Sequence, residues 1–144
     1  MFERSNSHIL LVEDNPLDVD LIRHALLKAE SGIILDVARD SEETQSFLKA
    51  WDGTASAPIL ILLDLILPKI GGLEILNFIK KHPRFRTIPV VILTSSNNEN
   101  DIQNAYTQGA NSYVLKAMDY DTFEQAVRSI HRYWCVLNIR PEFK

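Results

Sequence analysis

The chain has 144 residues, 46% of them hydrophobic and 24% charged, with only 5 glycines and 6 prolines. That balance fits one globular domain and excludes low-complexity, collagen-like and repeat architectures. A net charge of −4, from 15 basic and 19 acidic side chains, argues against a dedicated nucleic-acid binder, whose phosphate contacts need clustered cations, and points to protein partners.

The single Cys135 has no intramolecular disulfide partner, so a reduced cytoplasm fits. The opening residues lack the apolar core of a secretion signal, and the longest apolar stretch, 59–67, is too short to span a bilayer and contains Asp64. The expectation is a protein neither exported nor membrane-anchored.

In chain order, five short apolar runs read as strands: 9–12, 33–37, 59–63, 90–93 and 112–115. The first, third and fourth are apolar throughout, as strands covered on both faces of a parallel sheet are. Segments with helical spacing follow them: Leu17, Leu21, Ala25 and Leu26; Phe47; Leu73, Leu76 and Ile79; Ile102, Ala105 and Tyr106; and Phe123, Val127, Ile130 and Trp134. Asn15 before Pro16 caps the first helix, and Asp40-Ser41-Glu42-Glu43 has capping-box spacing before the second. Gly32 and Gly109 stand where helices should stop. The loop 51–58 is the one irregular connection, with Trp51 expected to pack over the sheet edge. Five alternations joined by short right-handed crossovers predict an α/β, doubly wound, flavodoxin-like sheet of five parallel strands, order 2-1-3-4-5, in a three-layer sandwich.

Ligands of such a sheet bind beyond the carboxyl ends of the strands, where strand order reverses. Strand 1 ends in Glu13 and Asp14, strand 3 in Asp64, strand 4 in Thr94 and Ser95, and strand 5 in Lys116. Carboxylates gathered there repel one another unless a cation intervenes. Oxygen ligands with no His or Cys nearby favour a hard ion, and a few carboxylates completed by water suit Mg²⁺. The bound cation leaves room for a phosphoryl group: Asp64 serves as nucleophile, Lys116 pairs with a phosphoryl oxygen and Thr94 donates to another. A lone strand-end Asp, Thr or Lys is ordinarily a cap, a strand residue or a solvated charge, so it is the joint placement that carries weight.

Ile9-Leu10-Leu11-Val12-Glu13-Asp14-Asn15, Leu63-Asp64-Leu65-Ile66-Leu67-Pro68 with Gly71-Gly72, Val91-Ile92-Leu93-Thr94-Ser95 and Gly109-Ala110-Asn111-Ser112-Tyr113-Val114-Leu115-Lys116 together resemble the receiver domain of two-component response regulators, over residues 8–134. The resemblance implies that Asp64 accepts phosphate from a histidine kinase, that Glu13, Asp14, Asp64 and the Ile66 backbone carbonyl hold Mg²⁺, and that Thr94 and Tyr113 act as the switch. It also assigns the dephosphorylation rate to Ile66 and Ser96. Ile66 is apolar and cannot orient an attacking water, so slow loss of the acyl phosphate is expected. The Asn-Pro-Leu-Asp start of the first helix and the run Tyr133-Trp134-Cys135-Val136-Leu137-Asn138 resemble the single-domain regulators paired with phytochromes. Residues 1–144 are thus expected to be one receiver domain, with a core at 8–134, a C-terminal extension at 135–144 and no output domain. Val136, Leu137 and Ile139 would be exposed in a monomer, which implies a homodimer through helix 4, strand 5, helix 5 and this tail.

One departure concerns the residue after Lys116. Receivers place a proline there, with a cis bond before it, whereas this chain has Ala117, before which a cis bond would cost about 3–4 kcal/mol. A trans bond is expected, and the placement of Lys116 depends on it. Three readings stand at this point: a phosphoryl-accepting switch; an enzyme of the same fold, either an aspartate-nucleophile phosphatase or a flavin or nucleotide binder; and a receiver-like interaction module that takes no phosphate. The phosphatase would want an acid where Ile66 stands, and Asn15-Pro16-Leu17 replaces the glycine-rich loop of a nucleotide binder. The cluster Lys80, Lys81, His82, Arg84 and Arg86 reads as a solvated helix terminus, with a docking patch for an acidic protein surface second. His8, His24, His82 and His131 lack metal-ligand spacing.

Overall fold

The computed structural model describes residues 6–141. Strands β1 (His8–Val12), β2 (Ile34–Ala38), β3 (Leu60–Leu63), β4 (Val90–Thr94) and β5 (Ser112–Leu115) alternate with helices α1 (Pro16–Ala29), α2 (Ser41–Trp51), α3 (Gly72–Lys81), α4 (Glu99–Thr107) and α5 (Tyr120–His131), and a π-helical turn, Arg132–Leu137, continues α5. All strand pairs are parallel, in the order β2-β1-β3-β4-β5. The expected doubly wound sandwich is the observed fold.

Because side chains alternate across a strand, each central strand feeds two cores. Leu10, Val12, Ile61, Leu63, Val90 and Ile92 face α2, α3 and α4, packing with Leu48, Leu76, Ile79 and Ala105. Ile9, Leu11, Leu60, Leu62, Val91 and Leu93 face α1 and α5, packing with Ile22, Leu26, Phe123 and Val127. That two-sided burial explains the unbroken apolar runs of β1, β3 and β4, whereas the edge strands β2 and β5 are only partly covered.

Local chemistry sets where the helices begin. The Asn15 side chain accepts from the Leu17 and Asp18 amides, and Asp40 accepts from the Glu43 amide. The Glu43 carboxylate reaches back to the Arg39 amide, one residue earlier than in the usual capping box. Gly109 adopts φ +102° two residues beyond α4, as a helix stop requires, while α1 ends on an extended Glu30 and Gly32 lies in the turn that follows, without a left-handed φ. Trp51 is buried at the end of α2, stacked on Phe47 and edge-on to His8.

Three sequence expectations shift. On α1 the cap phases the helix so that Val19 and Ile22 join Ala25 and Leu26 inside, leaving Leu17 at 66% exposure. On α4 only Ala105 is buried, and Tyr106 is exposed. Beyond α5 the wider π turn, closed by the Asn138 amide on the Tyr133 carbonyl, advances the buried face by one residue, so that Cys135 rather than Trp134 completes the core.

Of the basic cluster, Lys81 and Arg86 are exposed as a solvated helix terminus requires, but Lys80 and Arg84 are engaged with backbone carbonyls. The Lys80 ammonium donates to the carbonyls of Arg86 and Ile88 and to Asn111 Oδ1, at 3.3, 2.9 and 3.0 Å, tying α3 to the segments before β4 and β5. The Arg84 guanidinium donates to the carbonyls of Trp51 and Thr54 and so holds the irregular loop after α2. Among the described residues no helix is long and apolar enough to cross a membrane.

Gly72 opens α3 directly against the end of β3: a Cβ there would lie 2.2 Å from the Asp64 carbonyl oxygen and 2.7 Å from Leu65 Cα, while one on Gly71 would come no closer than 3.7 Å to its nearest neighbour, the Leu65 carbonyl oxygen. Replacing Gly72→Ala is expected to lower stability in urea unfolding by about 1–3 kcal/mol through backbone displacement at Asp64, with Gly71→Ala close to neutral.

Candidate functional site

Parallel strands put every carboxyl end on one edge, and the register aligns those ends: Val12 pairs with Leu63, Leu63 with Ile92, and Thr94 with Leu115. The next residues of β1, β3 and β5 are Glu13, Asp64 and Lys116. Their backbones extend the ladder, with the Glu13 amide on the Ala38 carbonyl, the Asp64 amide on the Val12 carbonyl and the Lys116 amide on the Thr94 carbonyl. Main-chain hydrogen bonds therefore fix all three before any side chain interacts.

The Lys116 ammonium has three donors and meets three carboxylates: Glu13 Oε1, Asp18 Oδ2 at 2.8 Å and Asp64 Oδ2 at 2.8 Å. Described peptide bonds are all trans, the one between Lys116 and Ala117 included, and the ammonium still reaches the centre of the acidic group. Asp64 Oδ1 accepts from the Ile66 amide at 3.1 Å, and Glu13 Oε2 from the Asp14 amide at 3.0 Å. Glu13 and Asp64 are buried, whereas Asp14 faces solvent.

Burial pushes the Glu13 carboxyl up to about 7; the Lys116 ammonium opposes that rise and the Asp64 charge adds to it. Burial acts in the opposite direction on Lys116, but its hydrogen bonds to Asp18, Asp64 and Glu13 outweigh it and hold the ammonium above its ordinary value. One carboxylate oxygen from each of Glu13, Asp14 and Asp64 lies within 4.8 Å of the others. Oxygens bound at about 2.0–2.1 Å on a Mg²⁺ ion are at most roughly 4 Å apart, so this all-oxygen donor set suits a small hard cation once its oxygens draw closer and Lys116 yields.

Thr94, Ser96 and Tyr113 form a second, adjoining network. The Ser96 amide donates to Thr94 Oγ1 at 3.4 Å, the Ser96 hydroxyl to Asp101 Oδ2 at 2.6 Å, and the Tyr113 hydroxyl to the Ser96 carbonyl at 2.7 Å. Thr94 is fully buried at the end of β4. The Ile66 side chain is 58% exposed at the rim, and its amide is engaged by Asp64.

Asp18 was not among the residues selected from sequence. Strand-end position selects the others, but Asp18 reaches the site from the first turn of α1, where it reads as an ordinary acidic residue favoured by the helix dipole. Its position three residues after the Asn15 cap, and so above the end of β1, is the signal that could have selected it.

A family model for the response regulator receiver domain matches residues 9–128. The response regulator Rcp1 of Synechocystis sp. is 37% identical over 128 residues, covering 88% of this chain and 87% of that protein. The probable methanogenesis regulatory protein FilR2 of Methanothrix harundinacea is 37% identical over 134 residues, covering 92% and 86%. Among solved structures, the phosphorylated cyanobacterial phytochrome response regulator RcpA matches with a TM-score of 0.88 at 38% identity, over 95% of this chain and 99% of that one. The Mn²⁺-bound form of response regulator Rcp1 matches with a TM-score of 0.85 at 35% identity, over 94% and 99%.

The raised Glu13 carboxyl has a signed consequence. Between its ordinary value of 4.5 and about 7 the folded state holds a proton that the unfolded state has released, so the contribution of Glu13 to stability is present below that window and lost as pH rises through it. Urea unfolding of metal-free protein should show the wild type losing stability relative to Glu13→Gln as pH rises from 4.5 to 7. Parallel pH profiles would mean that Lys116 keeps Glu13 ionised throughout.

Proposed function

The chain belongs to the response regulator receiver domain family, and we propose that it works as a phosphoacceptor of a two-component relay, with Asp64 as the acceptor. The observation that carries this reading is the Lys116 ammonium bridging Glu13 and Asp64 beside a trio of carboxylates spaced for one cation. Glu13, Asp14, Asp64 and the Ile66 backbone carbonyl would hold Mg²⁺, which would supply neutralisation of charge on the incoming phosphoryl group. An Asp64 carboxylate oxygen attacks phosphorus of a kinase phosphohistidine. The P–N bond breaks, the imidazole leaves with the electron pair, and an acyl phosphate remains on Asp64. Lys116 pairs with one phosphoryl oxygen and Thr94 Oγ1 donates to another. Movement of Thr94 toward the phosphoryl group strains the amide of Ser96, whose carbonyl holds the Tyr113 hydroxyl, and so carries the change to the α4–β5 face. Ile66 and Ser96 set the lifetime of the acyl phosphate, the apolar Ile66 prolonging it.

The relatives' names, a phytochrome response regulator and an Mn²⁺-bound regulator, support a phytochrome-type histidine kinase as donor and a divalent ion in the pocket, and the single Cys135 fits a reduced, cytoplasmic setting. The protein is a signalling switch rather than an enzyme that turns over a substrate. Lys116 reaches its partners across a trans peptide, which weighs against the reading as a module that takes no phosphate.

Output passes through protein contacts. Tyr106, Leu115 and Tyr120 on the α4–β5–α5 face and Val136, Leu137 and Ile139 beyond α5 are apolar or aromatic and between 38% and 93% exposed, which supports a homodimer through that face and tail.

Incubation with Mg²⁺ and acetyl phosphate should add one phosphoryl mass to the intact wild type and none to Asp64→Asn or to protein in chelator. An unchanged wild-type mass would favour the non-phosphorylated module, and steady phosphate release from small phosphate esters would favour the phosphatase. Sedimentation velocity at micromolar concentration should show a dimer; a monomer both with and without a phosphoryl mimic would overturn that assignment.

A further inference from the structure

We propose that Asp18 is a positioning residue for Lys116, the anchor that retains the ammonium when a divalent cation takes the carboxylates of Glu13 and Asp64. The inference rests on the reading of Glu13, Asp14 and Asp64 as the cation site. Of the three carboxylates that Lys116 contacts, Glu13 and Asp64 belong to that trio and Asp18 does not. The ammonium and an entering cation carry charge of the same sign and seek the same oxygens, so Lys116 must give ground before the cation can be held.

Its side chain is only 11% exposed, and a buried ammonium without a partner is strongly disfavoured. With no third carboxylate, Lys116 would keep its hold on Glu13 and Asp64 and compete with the cation. Asp18 supplies the alternative from outside the trio. It is fixed there by the Asn15 cap, and its side chain is 24% exposed, so its charge keeps part of its hydration. Lys116 is anchored at its backbone by the Thr94 carbonyl and at its tip by Asp18, so the shift asked of it is a change of hydrogen-bond partners within one cradle rather than a rotation into solvent. Asp18 thereby raises cation affinity through Lys116 without ligating the ion.

The test is a double-mutant cycle read by calorimetric titration of Mg²⁺ at fixed pH and ionic strength, with circular dichroism as a check on folding. Asp18→Asn should weaken Mg²⁺ binding about fivefold, the scale of one partly exposed ion pair. Lys116→Met should tighten binding, and adding Asp18→Asn to Lys116→Met should change nothing further. Asp18→Glu should restore most of the wild-type affinity. An equal loss from Asp18→Asn in both backgrounds would overturn the proposal, since it would make Asp18 only a nearby negative charge, and so would no loss in either. Wild type that binds no Mg²⁺ would instead overturn the cation-site reading on which the proposal depends. Should a variant fail to fold, Asp18→Ser and Lys116→Gln complete the same cycle.

Discussion

The Lys116 ammonium meets carboxylates of Glu13, Asp18 and Asp64 that lie 103, 98 and 52 residues away in sequence. Two of those carboxylates are almost fully buried, and buried like charges at this spacing hold together only around a positive centre. In the protein alone that centre is the ammonium; a bound divalent cation would share the role. The balance is poised rather than saturated, because burial of Glu13 raises its carboxyl while the same cradle holds the lysine charged. A site with such unresolved tension responds to a small added charge, and that is what a switch needs.

The fold exists to hold that balance at one edge. Parallel strands can be joined only by crossovers, crossovers place helices on both faces, and helices on both faces require central strands that are apolar throughout. The polar residues that follow those strands are then the first that can leave the core, and all leave it on the same side. Gly72 lets α3 begin against the Asp64 carbonyl, so the Asp64 backbone is clamped between the ladder and a helix start. An equally short chain of hydrogen bonds runs from Thr94 through the Ser96 backbone to the Tyr113 hydroxyl on the partly covered edge strand.

Side chains that read from sequence as surface charge turn out to hold the frame. Lys80 and Arg84 direct their donors to backbone carbonyls of Arg86, Ile88, Trp51 and Thr54 rather than to solvent, and so tie the connections after α2 and before β4 to the frame. His131, buried near the end of α5, binds Glu30, whose other oxygen accepts from the Ser7 amide, which closes the layer of α1 and α5 over the start of β1. The π turn beyond it buries Cys135 in the same layer and leaves Val136 and Leu137 outside.

Local pattern in the chain was enough to place the five strands, the Asn15 and Asp40 caps, the order of the sheet and the strand-end positions of Glu13, Asp14, Asp64, Thr94 and Lys116. Each follows from local pattern: an apolar run marks a central strand, and the polar residue after it marks the functional edge. Tertiary packing was needed to bring Asp18 to Lys116, to set Lys80 and Arg84 on backbone carbonyls, and to bury Cys135 while Trp134 packs half-buried against the same core. Those outcomes depend on how helices and loops are phased against distant segments. Hydrophobic periodicity specifies which face of an element is buried, but it does not say which charge on another element that face will meet.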